Sequence, residues 1–408
     1  MGCSSSSATE DEAFRPSTPR QSSANTQFVG KVPRESRKFN DTVPNKPETV
    51  PQAHQRLDEE ICALESTCPG PRLLTAEAWI EHLQTLFGRG RAIDEHPNQL
   101  VLNARIVDIP SEISDPYEPE SANAVANRNR DDTAKVRRLA LKLDIAMDSE
   151  KAARQEEFIA RISRSAMELE EESFRADMIE LARSRAYGLR QSFSRLKALY
   201  LELDYLIASA NNGNYSSLNE QRLDGELESA RDVRDRLGGV SEQWRTAGSL
   251  IRASAKGMLQ AVECWNLVER SKSAQERIAL ALDCRTACHG ALITLGAAQA
   301  ALPQVEIPFV TLRQQSAVKH GLVYMLTDMA NVTRYRHTKN VLEGFSSNVQ
   351  KSVEWIHNTY KDTLQNDLSE ADQTVMMFAK QLREIRKHYL SQRMGSKIYA
   401  GLPAGHSE

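Results

Sequence analysis

The stretch Phe174–Asn211, FRADMIELARSRAYGLRQSFSRLKALYLELDYLIASAN, contains no proline and a single glycine, and an apolar residue recurs at every third or fourth place. Phe174, Met178, Ala182, Ala186, Leu189, Phe193, Leu196, Tyr200, Leu203 and Ile207 make nine steps over 33 residues, about 3.67 per step. An α-helix brings such positions onto one face, because its side chains repeat every 3.6 residues. Upstream, proline is missing as far back as Arg130, and Asp131, Asp132 and Thr133 supply acidic and capping groups. The sequence therefore predicts one very long helix over 130–211, stopped by Asn211-Asn212-Gly213-Asn214.

Two further arms follow. Ser217 with Glu220 has the capping-box spacing and opens a run through Leu223, Leu227, Ala230, Leu237, Trp244, Ile251, Met258 and Val262, with Gly238-Gly239 as a weak point. Ser273 with Glu276 repeats that spacing, which predicts a kink near Ser271 and a restart ending before Pro303. After Pro308 the chain is again free of proline from Thr311 to Met394. Its stripe runs Phe345, Val349, Val353, Ile356, Tyr360, Leu364, Leu368, Ala371, Val375, Phe378, Leu382, Ile385 and Tyr389, again about 3.67 per step.

Arms of similar length joined by short turns fold back on one another. The expected fold is all-α: a long antiparallel three-arm helical bundle, its second arm kinked to give four helices, behind a disordered N-terminal tether. An 82-residue arm would extend roughly 120 Å at 1.5 Å per residue. The 3.67 period predicts arms that are nearly straight or gently right-handed rather than a seven-residue supercoil.

The expected organisation is a tether over 1–56, a short helical or irregular docking region over 57–129, the bundle over 130–397 and a flexible tail over 398–408. Residues 1–56 are rich in Ser, Thr, Pro and Asn and too poor in apolar groups to offset their ordering entropy. In 57–129, Leu57, Ile61 and Leu64 fit a short helix, and Thr75 fits the cap of a second carrying Trp79, Ile80, Leu83, Leu86 and Phe87. The run Leu100 to Ile109 fits a strand or a helical turn equally.

Composition narrows function. Of 408 residues 40% are hydrophobic but only 6% aromatic, and most of the fifteen prolines precede residue 120, which disfavours a large β domain. Net charge is −3, and residues 130–397 carry 39 Lys/Arg against 35 Asp/Glu, too weak a surplus for a nucleic-acid footprint. Six scattered cysteines suit a reduced, cytosolic chain rather than a disulfide framework. The most apolar window, Ile278 to Leu302, is interrupted by Asp283, Arg285 and His289, so no membrane-spanning helix is expected.

Cys284-x-x-x-Cys288-His289 places two thiols one helical turn apart, the spacing of half a zinc site, but no second pair lies near, and packed small residues are the commoner reading. Gly88-Arg89-Gly90 lacks the rest of a nucleotide loop. No acid, base and nucleophile cluster, so no enzyme, cofactor or metal is expected.

The start Met1-Gly2-Cys3-Ser4-Ser5-Ser6 satisfies the pattern for N-myristoylation of Gly2, with Cys3 available for S-palmitoylation. Two acyl chains are needed because one myristoyl group holds a membrane only marginally, at about 10⁴ M⁻¹. These six residues resemble the start of dually acylated inner-leaflet proteins such as many G-protein α subunits and Src-type kinases, which implies a location on the inner leaflet only. At the other end, Lys380, Arg383, Arg386, Lys387, Arg393 and Lys397 are spaced to meet a membrane or a partner, or simply to form a solvated face.

The expected function is a lipid-anchored, non-enzymatic scaffold or adaptor on the cytoplasmic face of the plasma membrane or an endomembrane, binding protein partners, or a second copy of itself, through helical faces. Three arms of about 85 residues also resemble BAR-type modules, which implies a dimeric membrane-shaping alternative.

Overall fold

The computed structural model describes residues 48–94, 134–211, 215–395, 397–399 and 401. The chain divides into two units, Met1–Lys46 and Pro47–Glu408, and all the described residues belong to the second. Among them the regular structure is helical, and a bridge pairs Thr49 with Ile398. The helices are α1 (Val50–Glu65), α2 (Pro69–Asp94), α3 (134–142), α4 (Ser149–Arg154), α5 (Glu156–Asn211), α6 (Leu218–Arg270), α7 (Ala274–Ala301), α8 (Leu312–Asp328), α9 (Val332–Thr359) and α10 (Asn366–Met394).

The three arms are α5, α6 and the pair α9–α10; α6 packs directly on α9 and α10, and both α5 and α6 pack on α2 and α7. Helix α6 runs antiparallel to the other two arms. Arg185 meets Glu242 and the Arg231 guanidinium lies over the Tyr200 ring, while Trp265 donates to the Tyr335 carbonyl and Arg386 reaches Glu220. Helices α1, α2 and α7 fill a fourth position in succession along these arms. Every residue of the two sequence stripes is buried or half-buried, as a helical seam requires.

The first arm is not one helix. It breaks at 143–147, where Asp144 takes φ 53°, and Asp148 caps α4 by accepting from the Glu150 and Lys151 amides. Aspartate tolerates the left-handed region and favours caps, and the break lets Ile145 and Ala146 bury completely. Within α5 the buried residues Leu196, Leu199, Leu203, Leu206 and Ala210 alternate steps of three and four. Over this stretch the repeat is seven residues, not eleven, and Leu199 and Leu206, which the expected stripe passes over, belong to the seam.

The break near Ser271 is present, and the chain reverses there. Helix α7 returns along α6: Ser254 Oγ donates to the Ala291 carbonyl at 2.7 Å, and Cys288 Sγ lies 3.5 Å from Met258 Sδ. Gly257 permits the approach, since a Cβ there would stand 3.0 Å from the Ala287 oxygen. By length and composition α7 could cross a membrane, but half of its apolar window is buried, as in a core helix. Gly238 and Gly239 do not interrupt α6; a Cβ on Gly238 would stand 2.6 Å from Cys68 Cβ, so glycine admits the α1–α2 corner.

The third arm breaks at 329–331, where Asn331 caps α9 by accepting from the Thr333 and Arg334 amides. It then passes through a π-turn, Tyr360–Gln365. The stripe explains the turn. Ile356, Tyr360, Leu364 and Leu368 follow three consecutive four-residue steps, which over-rotate an α-helix by about 40° each, and the wider π-turn restores the face.

Residues 50–56, expected in the tether, are helical. Thr49 donates its amide to Gln52 Oε1 at 3.0 Å and Pro51 sits in the first turn, where no intrahelical donor is lost. Helix α2 begins at Pro69 rather than at Thr75, whose hydroxyl instead donates to the Pro71 carbonyl. Leu57, Ile61 and Leu83 are fully buried, so these helices are walls of the bundle rather than docking pieces outside it. Gly88–Gly90 is helical, which removes the phosphate-loop reading. The run 100–109 lies outside the described residues.

Candidate functional site

At one tip of the bundle, chain entry and chain exit meet. Val50 N donates to the Lys397 carbonyl at 3.1 Å, Tyr399 N donates to the Glu48 carbonyl at 2.8 Å, and the Tyr399 hydroxyl reaches Glu202 at 3.2 Å. Ile398 and Tyr399, expected in the flexible tail, are thus pinned by backbone pairing to the start of α1. Beneath this clasp Val50, Ala53 and Leu57 of α1 pack on Leu199 and Leu206 of α5 and Leu390 of α10. Glu48, the first described residue, therefore lies beside the end of α10. Gly2 and Cys3 lie outside the described residues.

The six basic residues singled out from sequence divide into two groups. Arg383 is paired with Asp58 and approaches Cys62 Sγ at 3.7 Å, while Arg386 bridges Glu220 at 2.9 Å and Asp224 at 3.1 Å. These two hold α10 to α1 and α6. Lys380 and Lys397 are exposed, Lys387 is half-buried, and the Arg393 guanidinium lies over the Tyr389 ring at 5.7 Å.

His54 is buried near Arg383 and Arg386. Its pKa is pushed down to about 4, first by burial and then by the charges of Arg386 and Arg383. Burial would raise Glu220, but hydrogen bonds from Ser216 and the Arg386 charge outweigh it and hold the carboxyl below its usual range. The tip is thus an interior charge network facing its own helices.

A second polar cluster lies deeper, where α5 meets α7. Arg285 Nη2 donates to Glu170 Oε1 at 2.6 Å and Thr286 Oγ1 donates to the same oxygen at 3.1 Å. His289 Nδ1 stands 3.7 Å from Glu170 Oε2, and its Nε2 stands 3.9 Å from Glu171 Oε2. Burial pulls Glu170 upward, but His289 and Arg285 overcome it and keep the carboxyl below its ordinary value. Arg285 Nε and Nη1 and His289 Nδ1 are buried without hydrogen-bond partners. An open hollow of about 400 Å³ lies above this cluster, walled by α2, α5, α7 and α8.

Cys284 and Cys288 are buried in the core. Burial pushes the Cys288 thiol up to about 12 and the Cys284 thiol well above its ordinary value. Among the described residues no three His, Cys, Asp or Glu side chains are grouped to hold a metal. In sequence Arg285 and His289 register only as interruptions of an apolar window; their partner Glu170 is more than a hundred residues away, and no local pattern announces it.

Comparison of the chain with protein-family models, with curated proteins and with solved structures returns no match.

Proposed function

We propose that the protein is a lipid-anchored, non-enzymatic adaptor on the cytoplasmic face of a membrane, holding partner proteins along its helical arms. The observation that carries the partner role is the outer face of α5. Tyr187 is 61% exposed, Leu201 56% and Tyr205 39%. Tyr187 and Tyr205 are five full turns apart and Leu201 lies within about 40° of them, so the three form one row. The opposite face of the same helix is buried, which holds that row rigid. Aromatic and aliphatic side chains standing in a row on a rigid helix suit a partner's groove or helix.

The anchor rests on the Gly2-Cys3 start, and the chain joins the bundle at its tip, where an acylated segment would tie one end of the arms to the surface. The inward pairing of Arg383 and Arg386 weakens the membrane-shaping alternative, which needs those cations facing lipid. Co-sedimentation of the unacylated full chain with vesicles of phosphatidylserine and phosphatidylcholine separates the two. The adaptor reading expects the protein to stay in the supernatant at physiological salt; strong binding with tubulation would replace it by the membrane-shaping one.

A further inference from the structure

The hollow between α2, α5, α7 and α8 owes its space to α7, which presents Gly296, Ala297 and Ala300 where a bundle helix would ordinarily carry larger groups. A Cβ built on Gly296 meets nothing within 4 Å. Leu83 and Leu86 of α2, Leu292 of α7 and Leu312 of α8 complete an apolar wall.

The remaining wall is polar and charged. His289, only 1% exposed and held between Glu170 and Glu171, lines the hollow, as do Glu171 itself, Arg175, which is ion-paired with Glu171, and the exposed Lys319. With Arg285 and Glu170 directly behind, the groups in and under the hollow are three fixed cations against two carboxylates, one positive charge in surplus. About 400 Å³, mostly apolar with a few convergent polar groups, is within the usual range of roughly 300–1,000 Å³ for small-ligand sites.

An apolar chain bearing a single negative head complements such a surface. We propose that this hollow binds a medium- to long-chain carboxylate, its chain lying along Gly296, Ala297 and Ala300 and its head at Arg175 and Lys319. The site is independent of the anchor and of the outer face of α5.

The test is calorimetric titration of the full chain with dodecanoate and with methyl dodecanoate, on the parent and on Gly296→Leu and Lys319→Glu. Leucine at 296 enters open space in mid-helix, so its thermal midpoint should equal or exceed the parent's while dodecanoate binding weakens at least tenfold. Lys319→Glu alters an exposed side chain and should weaken dodecanoate about tenfold while leaving the uncharged ester unchanged. A parent with no saturable site, or either variant binding dodecanoate as the parent does, overturns the proposal.

Discussion

Arg285 Nη2 and Glu170 Oε1 are 2.6 Å apart, with both side chains buried between α5 and α7. A pair so placed contributes little net stability, because desolvation offsets its attraction, but breaking it leaves a charge stranded. Glu170→Ala should cost about 3–5 kcal/mol, and the double change Glu170→Leu with Arg285→Met far less, both read from urea unfolding. Equal losses would show that the pair acts by packing alone. Because the folded Glu170 pKa is depressed, its contribution is present above the unfolded carboxyl value and fades as pH falls through the folded one.

His54 sets a second pH dependence, at higher pH. Its folded pKa of about 4 lies below the 6.5 of the free imidazole, so the unfolded chain binds more protons between those values. Stability should therefore decline as pH drops from 6.5 towards 4, by on the order of 1–3 kcal/mol from this residue. His54→Gln, compared with the parent by thermal melts at pH 7 and pH 5, should lose part of that decline. An unchanged pH profile would place the acid sensitivity elsewhere.

The seven-residue seam in α5 distinguishes two leucines one place apart on either side of Tyr200. Leu199 is fully buried among α1, α5 and α10, whereas Leu201 is 56% exposed. Leu199→Ala should cost about 2–5 kcal/mol and Leu201→Ala less than about 0.5. Similar losses for both would mean that the helix is rotated from the orientation described.

Two glycines should respond oppositely to alanine. At Gly238 the new Cβ would meet Cys68 Cβ at 2.6 Å, and Cys68 itself holds φ 49°, so the α1–α2 corner must yield and the bundle should lose stability. At Gly188, in mid-helix with nothing within 4 Å, alanine should gain about 0.5–1 kcal/mol. Paired thermal melts check the signs.

The arms were legible in sequence because burial of one helical face leaves a periodic trace that proline-free runs preserve, and the stripes from Phe174 and from Phe345 both lie on buried faces. Periodicity tells that a face is covered and not by what. Hence the reversal at Ser271, which places α7 on α6, read as a kink, and Leu57, Ile61 and Leu83 read as docking groups rather than walls. The inward pairing of Arg383 and Arg386 was hidden for the same reason. Arg383 meets Asp58 across 325 residues and Arg285 meets Glu170 across 115, and charge spacing along one helix cannot reveal an acid on another. The helix breaks at Asp144 and Asn331 came from residues with cap and left-handed preferences, a signal present in the sequence but outweighed there by the missing prolines.

The anchored-adaptor reading is tested most directly by separating membrane from soluble fractions of cells expressing the parent, Gly2→Ala and Cys3→Ser. Each buried methylene of an acyl chain contributes about 0.8 kcal/mol, so two chains hold firmly where one exchanges quickly. The parent should pellet with membranes, Cys3→Ser should be divided between fractions, and Gly2→Ala, which removes the acceptor amine's context and so also keeps Cys3 from membrane-resident palmitoylation, should be soluble. Gly2→Ala remaining on membranes as fully as the parent would contradict the acyl anchor and with it the adaptor's proposed location.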